Sequence, residues 1–272
     1  MPASDRICFG TSTFAAGRLN PHKDSTPGIE ALRHAVDRGV RLVHSNHRLE
    51  TQWAIAEALR GHPAGPQVRH LVKVEARSDD PDGVRDRVLD AVDTACTRLG
   101  VQSLEGVTLE IDRKRTDSVV LDLRAAARRF YEQAAMIARR TGAVRQVLAY
   151  CHSVVDLAAA LETPAVTGVC GQYNLASPWL RVHLPEIKRG GRAFLGMSPL
   201  DRGRLVDAAR PADVGSRAGP SLPALAWALE SPMVDTVVIT MSSVRHVDEV
   251  LAVAAGADAG LDRAEDSAGA SR

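Results

Sequence analysis

The chain has 272 residues, 45% apolar and 25% charged, with a formal net charge of +1. That is ample material for a core, and the interspersed, nearly balanced charge excludes a surface built to release counterions from nucleic acid. The longest apolar runs are strand-sized, short of the roughly 20 residues a membrane helix needs.

The first residues, Met-Pro-Ala-Ser-Asp-Arg, carry neither the basic segment nor the apolar stretch of a secretory signal. Four cysteines, Cys8, Cys96, Cys151 and Cys170, form no C-x-x-C pair. That spacing argues against structural zinc and fits a reducing compartment, so a cytoplasmic location is the expectation.

The first strand is predicted at 7–10, followed by a helical stretch over 28–38 and a second strand at 41–44. A helix at 52–60 leads to a third strand at 70–74. The helix at 84–99 places Val84, Val88, Ala91, Val92, Ala95 and Leu99 on one face before a fourth strand at 104–109. A long helix over 119–140, closed by Thr141-Gly142, leads to a fifth strand at 146–150. Strands six, seven and eight are predicted at 166–170, 193–197 and 236–239, the last flanked by helices at 222–230 and 244–254.

Short strands alternating with helices require parallel pairing with both sheet faces covered. Eight such units in this length favour a closed (β/α)8 barrel, one domain over 1–255, with a small, polar tail over 256–272 expected to be disordered. The stretch 201–219, rich in Gly, Arg and Pro, is expected to be a mobile cover on the barrel's catalytic side. Gly10-Thr11-Ser12-Thr13 lacks the glycine spacing of a dinucleotide fingerprint, and Gly28 and Gly39 read as turn-making residues.

Barrel active sites are assembled at the C-terminal ends of the strands. There the sequence offers His44, Lys73, Glu110, and Cys151 with His152. If these converge, Lys73 and Glu110 form an ion pair in a partly dry cavity, and His44 contacts the lysine or relays a proton. No H-x-x-x-H or C-x-x-C pair supports a metal site.

Several stretches, in order and over nearly the whole chain, resemble the aldo-keto reductase family: GIEALRHAVDRGVRLVHSN, VLDAVDTACTRLGVQSLEGVTLE, TGAVRQVLAY, QYNL, FLGMSPLDRGRL and LPALAWALESPMVDTVVITMSS. The resemblance implies the family's TIM barrel and reduction by NADH or NADPH through an Asp, Tyr, Lys and His set. Of these the chain keeps Lys73. The aspartate position holds His44, the tyrosine position Leu49 and the histidine position Glu110.

The resemblance also assigns the nicotinamide carboxamide to Cys151 and His152, and the stacking position to Met197. Ser198 and Leu200 follow, and the phosphate region falls on Ser242, Ser243, Arg245 and Glu249. His246 at the site of a basic residue weakens any preference for NADPH, so NADH is favoured. Leucine has no proton to give a forming alkoxide, which speaks against an ordinary ketone reductase.

Three functions remain open. The first is an NAD(P)H-dependent reductase of an imine or activated C=C bond in specialised biosynthesis. The second is a lyase or isomerase using Lys73, and the third a non-catalytic, chaperone-like partner of a pathway enzyme. The first two act on a small molecule, and none calls for nucleic acid or membrane.

Overall fold

The computed structural model describes residues 2–77, 81–112, 122–207 and 221–269. Eight strands, β1 (Ile7–Gly10), β2 (Leu42–Asn46), β3 (Arg69–Ala76), β4 (Leu104–Ile111), β5 (Val144–Tyr150), β6 (Gly168–Gln172), β7 (Ala193–Met197) and β8 (Thr236–Thr240), close into a barrel. Every neighbouring pair is parallel, including β8 with β1. Around it lie α1 (Thr26–Asp37), α2 (Gln52–Leu59), α3 (Pro81–Leu99), α4 (Leu123–Arg140), α5 (Val154–Leu161), α6 (Leu184–Arg189), α7 (Arg204–Asp207), α8 (Ser221–Leu229) and α9 (Val244–Gly269).

Period-two alternation divides the strand side chains into two shells. Cys8, Leu42, Leu71, Leu148, Cys170, Leu195, Met197 and Val238 fill the barrel interior. The alternate residues, such as Phe9, Val43, Val72, Val107, Val147 and Val169, face outward and pack with the helices in a larger apolar layer. Toward the C-terminal ends of β2, β3 and β4 the interior positions turn polar, with His44, Asn46, Lys73, Glu75, Thr108 and Glu110, and these positions build the site.

Two features differ from the sequence expectation. Gly28 lies inside α1 rather than at a turn, and a Cβ there would stand 1.8 Å from the Phe14 carbonyl oxygen; the glycine permits a close backbone approach. Gly39 occupies a turn as expected, at φ +96°. The second is α9, which continues helical to Gly269 through most of the stretch expected as a disordered tail. Ala257, Ala259, Leu261, Arg263, Ala264 and Glu265 are strong helix formers and outweigh the lone glycines. Of the expected cover, a short 3-10 turn (Asp201–Gly203) and α7 are seen, and the remainder lies outside the described residues.

Candidate active site

Strand β3 points both Lys73 and Glu75 into the mouth, two residues apart on the inner face, and β4 does the same with Thr108 and Glu110. The register sets Lys73 beside Asn46 and Thr108, Glu75 beside Glu110, and Glu110 beside Tyr150. The Lys73 ammonium contacts Glu110 directly and lies 3.2 Å from Glu75 Oε1. Its side chain is 16% exposed, so water screens these pairs only partly.

The ion pairs extend in both directions. His152 Nε2 lies 2.5 Å from Glu110 Oε1, and His152 itself is half-exposed. On the other flank, Arg48 Nη1 donates to Glu75 Oε2 at 2.7 Å and to Asp112 Oδ2 at 3.2 Å, while Asn46 Nδ2 donates to Glu75 Oε1 at 2.8 Å. The sequence Asp112, Arg48, Glu75, Lys73, Glu110, His152 is thus one chain of contacts along the β2–β5 side of the mouth.

Burial opposes the charge of Arg48, Lys73, Glu75 and Glu110, yet the partners outweigh it. Desolvation would lower the Lys73 pKa, but Glu110 and Glu75 raise it above the usual lysine value. Burial would raise Glu110, but the bond to His152 and the Lys73 charge hold it below the usual carboxylate range. Glu75 is lowered likewise, against burial, by Lys73, Asn46 and Arg48. Such pairs add little net stability but are costly to break one partner at a time.

Two of the sequence-derived roles are corrected here. His44 faces inward but lies a layer deeper, opposite Leu71 rather than Lys73. Its ring Nε2 lies 3.3 Å from Thr108 Oγ1, and it makes no contact with the lysine. Burial foremost, and then the Lys73 charge, lower its pKa to about 3, so it is neutral and relays no charge to the mouth.

Cys151 is the second. It follows an inward residue, so alternation turns it outward into the helix-facing layer, where it is 1% exposed and burial drives its thiol pKa far up. It cannot hold a carboxamide in the mouth. What β5 delivers there is Tyr150, with His152 two residues on and their ring centroids 4.7 Å apart.

The remaining predicted positions fall on the opposite side of the mouth or beyond it. Met197 lines the interior and pairs in register with Gln172, whose Nε2 donates to Asp201 Oδ1 at 2.9 Å. Ser198 adopts φ +53°, its carbonyl accepting from Asn174 Nδ2 at 2.8 Å, and Leu200 packs partly buried against the outer core. Ser243 Oγ accepts from His246 N and so caps α9, while Ser242 Oγ lies 3.3 Å from His246 Nδ1. Arg245, 79% exposed, reaches toward Glu249 at 3.6 Å.

Sequence reading missed Glu75, Tyr150, Arg48, Asp112 and Gln172. A signal existed for three of them. Glu75 and Lys73, Asp112 and Glu110, and Tyr150 and His152 are all i, i+2 pairs at strand ends, the spacing that puts two side chains on one face. Arg48 arrives from a 3-10 turn (His47–Leu49), for which no periodic signal exists.

A closed barrel of eight parallel strands ringed by helices, with a lysine–carboxylate cluster at its C-terminal mouth, defines a TIM barrel. More particularly, the chain has the aldo-keto reductase barrel fold. A glycerol dehydrogenase from Gluconobacter oxydans is similar with a TM-score of 0.68 at 15% identity, over 91% of this chain and 86% of its own. An aldo-keto reductase from Bacillus halodurans, in its holo form, gives 0.68 at 14% identity over 91% and 86%. A thermostable aldo-keto reductase in complex with the inhibitor epalrestat gives 0.68 at 16% identity over 93% and 89%. No family model matches the chain, and no curated relative matches it in sequence. At these identities the likeness carries the fold alone.

Proposed function

We propose that the chain is an NAD(P)H-dependent reductase of an imine, working in specialised small-molecule metabolism; a conjugated C=C bond is the related alternative. The observation that carries this reading is the charge of the mouth. Glu75 and Glu110 both reach into the mouth around Lys73. An imine gains positive charge on nitrogen as it is protonated, and a carboxylate such as Glu110 beside it in a partly dry site favours that form. A ketone instead builds negative charge on oxygen, which this cluster disfavours.

The residues present fit a nicotinamide nucleotide. The N-terminus of α9, with Ser242 and Ser243, suits its phosphates. Met197 offers an apolar contact for the ring, and Gln172 beside it an amide for the carboxamide, in place of Cys151. When bound, the cofactor would supply hydride. The His246 ring meets Ser242 Oγ, and a histidine in place of a stronger base near the phosphate region favours NADH.

In this reading Glu110 orients the substrate nitrogen and stabilises its charge, while Lys73 fixes the two carboxylates. The raised pKa of Lys73 argues against a neutral amine nucleophile, and so against the Schiff-base lyase alternative. The test is titration of NADH and NADPH with nucleotide fluorescence as readout, followed by turnover of cyclic imines beside matched ketones. Imine turnover with little ketone turnover supports the reading. Failure to bind either nucleotide overturns it and favours a non-catalytic partner protein.

A further inference from the structure

The chain has three tyrosines. Tyr131 and Tyr173 are fully buried in the helix-facing layer, the first donating from its hydroxyl to the Tyr150 carbonyl at 3.1 Å. Tyr150 alone of the three packs against the interior side chains, at the last position of β5. Its hydroxyl makes no hydrogen bond to a described group, and its side chain is only partly buried.

The surroundings of this phenol are specific. The Lys73 ammonium lies 4.9 Å from its ring centroid, on the ring face, and the His152 ring packs at 4.7 Å. Glu110 is its register neighbour on one side and Cys170 on the other. Burial foremost, then the charges of its neighbours, raise its pKa, so the phenol stays protonated at neutral pH.

We propose that Tyr150 is the proton donor to the substrate nitrogen, a role that rests on the reductase reading above. As the C=N carbon is reduced, the nitrogen turns from imine to amine and becomes a strong base. The Tyr150 O–H bond breaks and an N–H bond forms, with the two electrons coming from the reduced nicotinamide named above. Hydride addition to a neutral imine leaves a nitrogen far more basic than a phenolate, so the proton moves from oxygen to nitrogen even from a phenol whose pKa burial has raised. The resulting tyrosinate ring is richer in electrons and holds the Lys73 ammonium more tightly through its face. The half-exposed His152 ring, 4.7 Å from the phenol ring, leaves this side of the site next to solvent, from which the phenolate is reprotonated.

The test uses Tyr150→Phe, which removes only an unengaged hydroxyl and leaves the ring packing in place. One arm compares a neutral cyclic imine with its N-methyl iminium, a permanent cation that needs no proton. The variant is expected to lose about 100-fold on the neutral imine and less than about 3-fold on the cation. A second arm needs no turnover. Calorimetric titration of the apo protein with a six-membered lactam, whose carbonyl accepts from the phenol, is expected to show about 10-fold weaker binding in the variant.

Equal losses on both substrates, no loss on either, lactam affinity unchanged by the substitution, or no lactam binding by the wild type each overturn the assignment. If the lactam arm behaves as expected while the wild type reduces neither substrate, the phenol still donates to ligands. The reductase reading is then what fails.

Discussion

Replacing His44 by leucine should remove a fixed part of the protein's sensitivity to acid. Folded His44 is buried, with its pKa lowered from 6.5 to about 3. Between those values the unfolded chain binds a proton that the folded chain refuses. The associated stability is therefore present above about pH 6.5 and lost as pH falls toward 3. At pH 5 an unfolded histidine is almost fully protonated, and the linkage integral from about pH 7.5 amounts to about 2 kcal/mol.

Leucine preserves most of the volume and cannot titrate. The lost Thr108 contact costs the same at either pH and cancels from the slope. His70, buried on β3 with a pKa lowered by burial to about 4, contributes to both proteins and cancels likewise. Urea unfolding of both proteins at about pH 7.5 and 5 gives the comparison. The wild type should lose about 2 kcal/mol more than His44→Leu across that interval. Identical losses would refute the claim that His44 is held neutral in the interior.

Lys73→Met leaves Glu75 and Glu110 without their shared cation, but Asn46, Arg48 and His152 still hold them; a cost of about 1–3 kcal/mol is expected by urea unfolding, partly recovered on adding Glu110→Gln. Glu110→Gln alone should lower imine turnover by about 100-fold or more while nucleotide affinity in the fluorescence titration stays within about 2-fold. Gly28→Ala forces a methyl group onto the Phe14 carbonyl and should cost at least about 1–3 kcal/mol, seen as a lower urea midpoint. Cys151→Ala should leave nucleotide affinity unchanged, because that side chain faces the helices; a several-fold loss would place it at the site after all.

The barrel was legible because parallel strands buried on both faces read as short apolar runs, and β1 and β7 match their predicted bounds. The runs end too early where the mouth begins. β2 continues past His44 to Asn46, and β3 past Val74 to Ala76, since the added inward residues, Asn46 and Glu75, are polar and interrupt the apolar pattern. The polar interruption is itself the mark of the site.

Lys73 and Glu110 were readable from their strand-end positions, and their ion pair forms as expected. His44 and Cys151 were misplaced for the same reason. Aligned motifs give order along the chain, whereas depth and facing come from register and alternation. Tyr150 was hidden because the tyrosine position implied by the resemblance follows β2, whereas this phenol stands at the end of β5.

The contact chain from Asp112 to His152 constrains how such a sequence can drift. Arg48, Glu75 and Lys73 each touch a neighbour of opposite sign on both sides. A single charge reversal therefore converts two attractions into two repulsions at once, and only a matched reversal next door restores one of them. Related chains that keep this mouth should change these positions in sign-conserving sets, while the neutral positions opposite, such as Met197, vary one at a time.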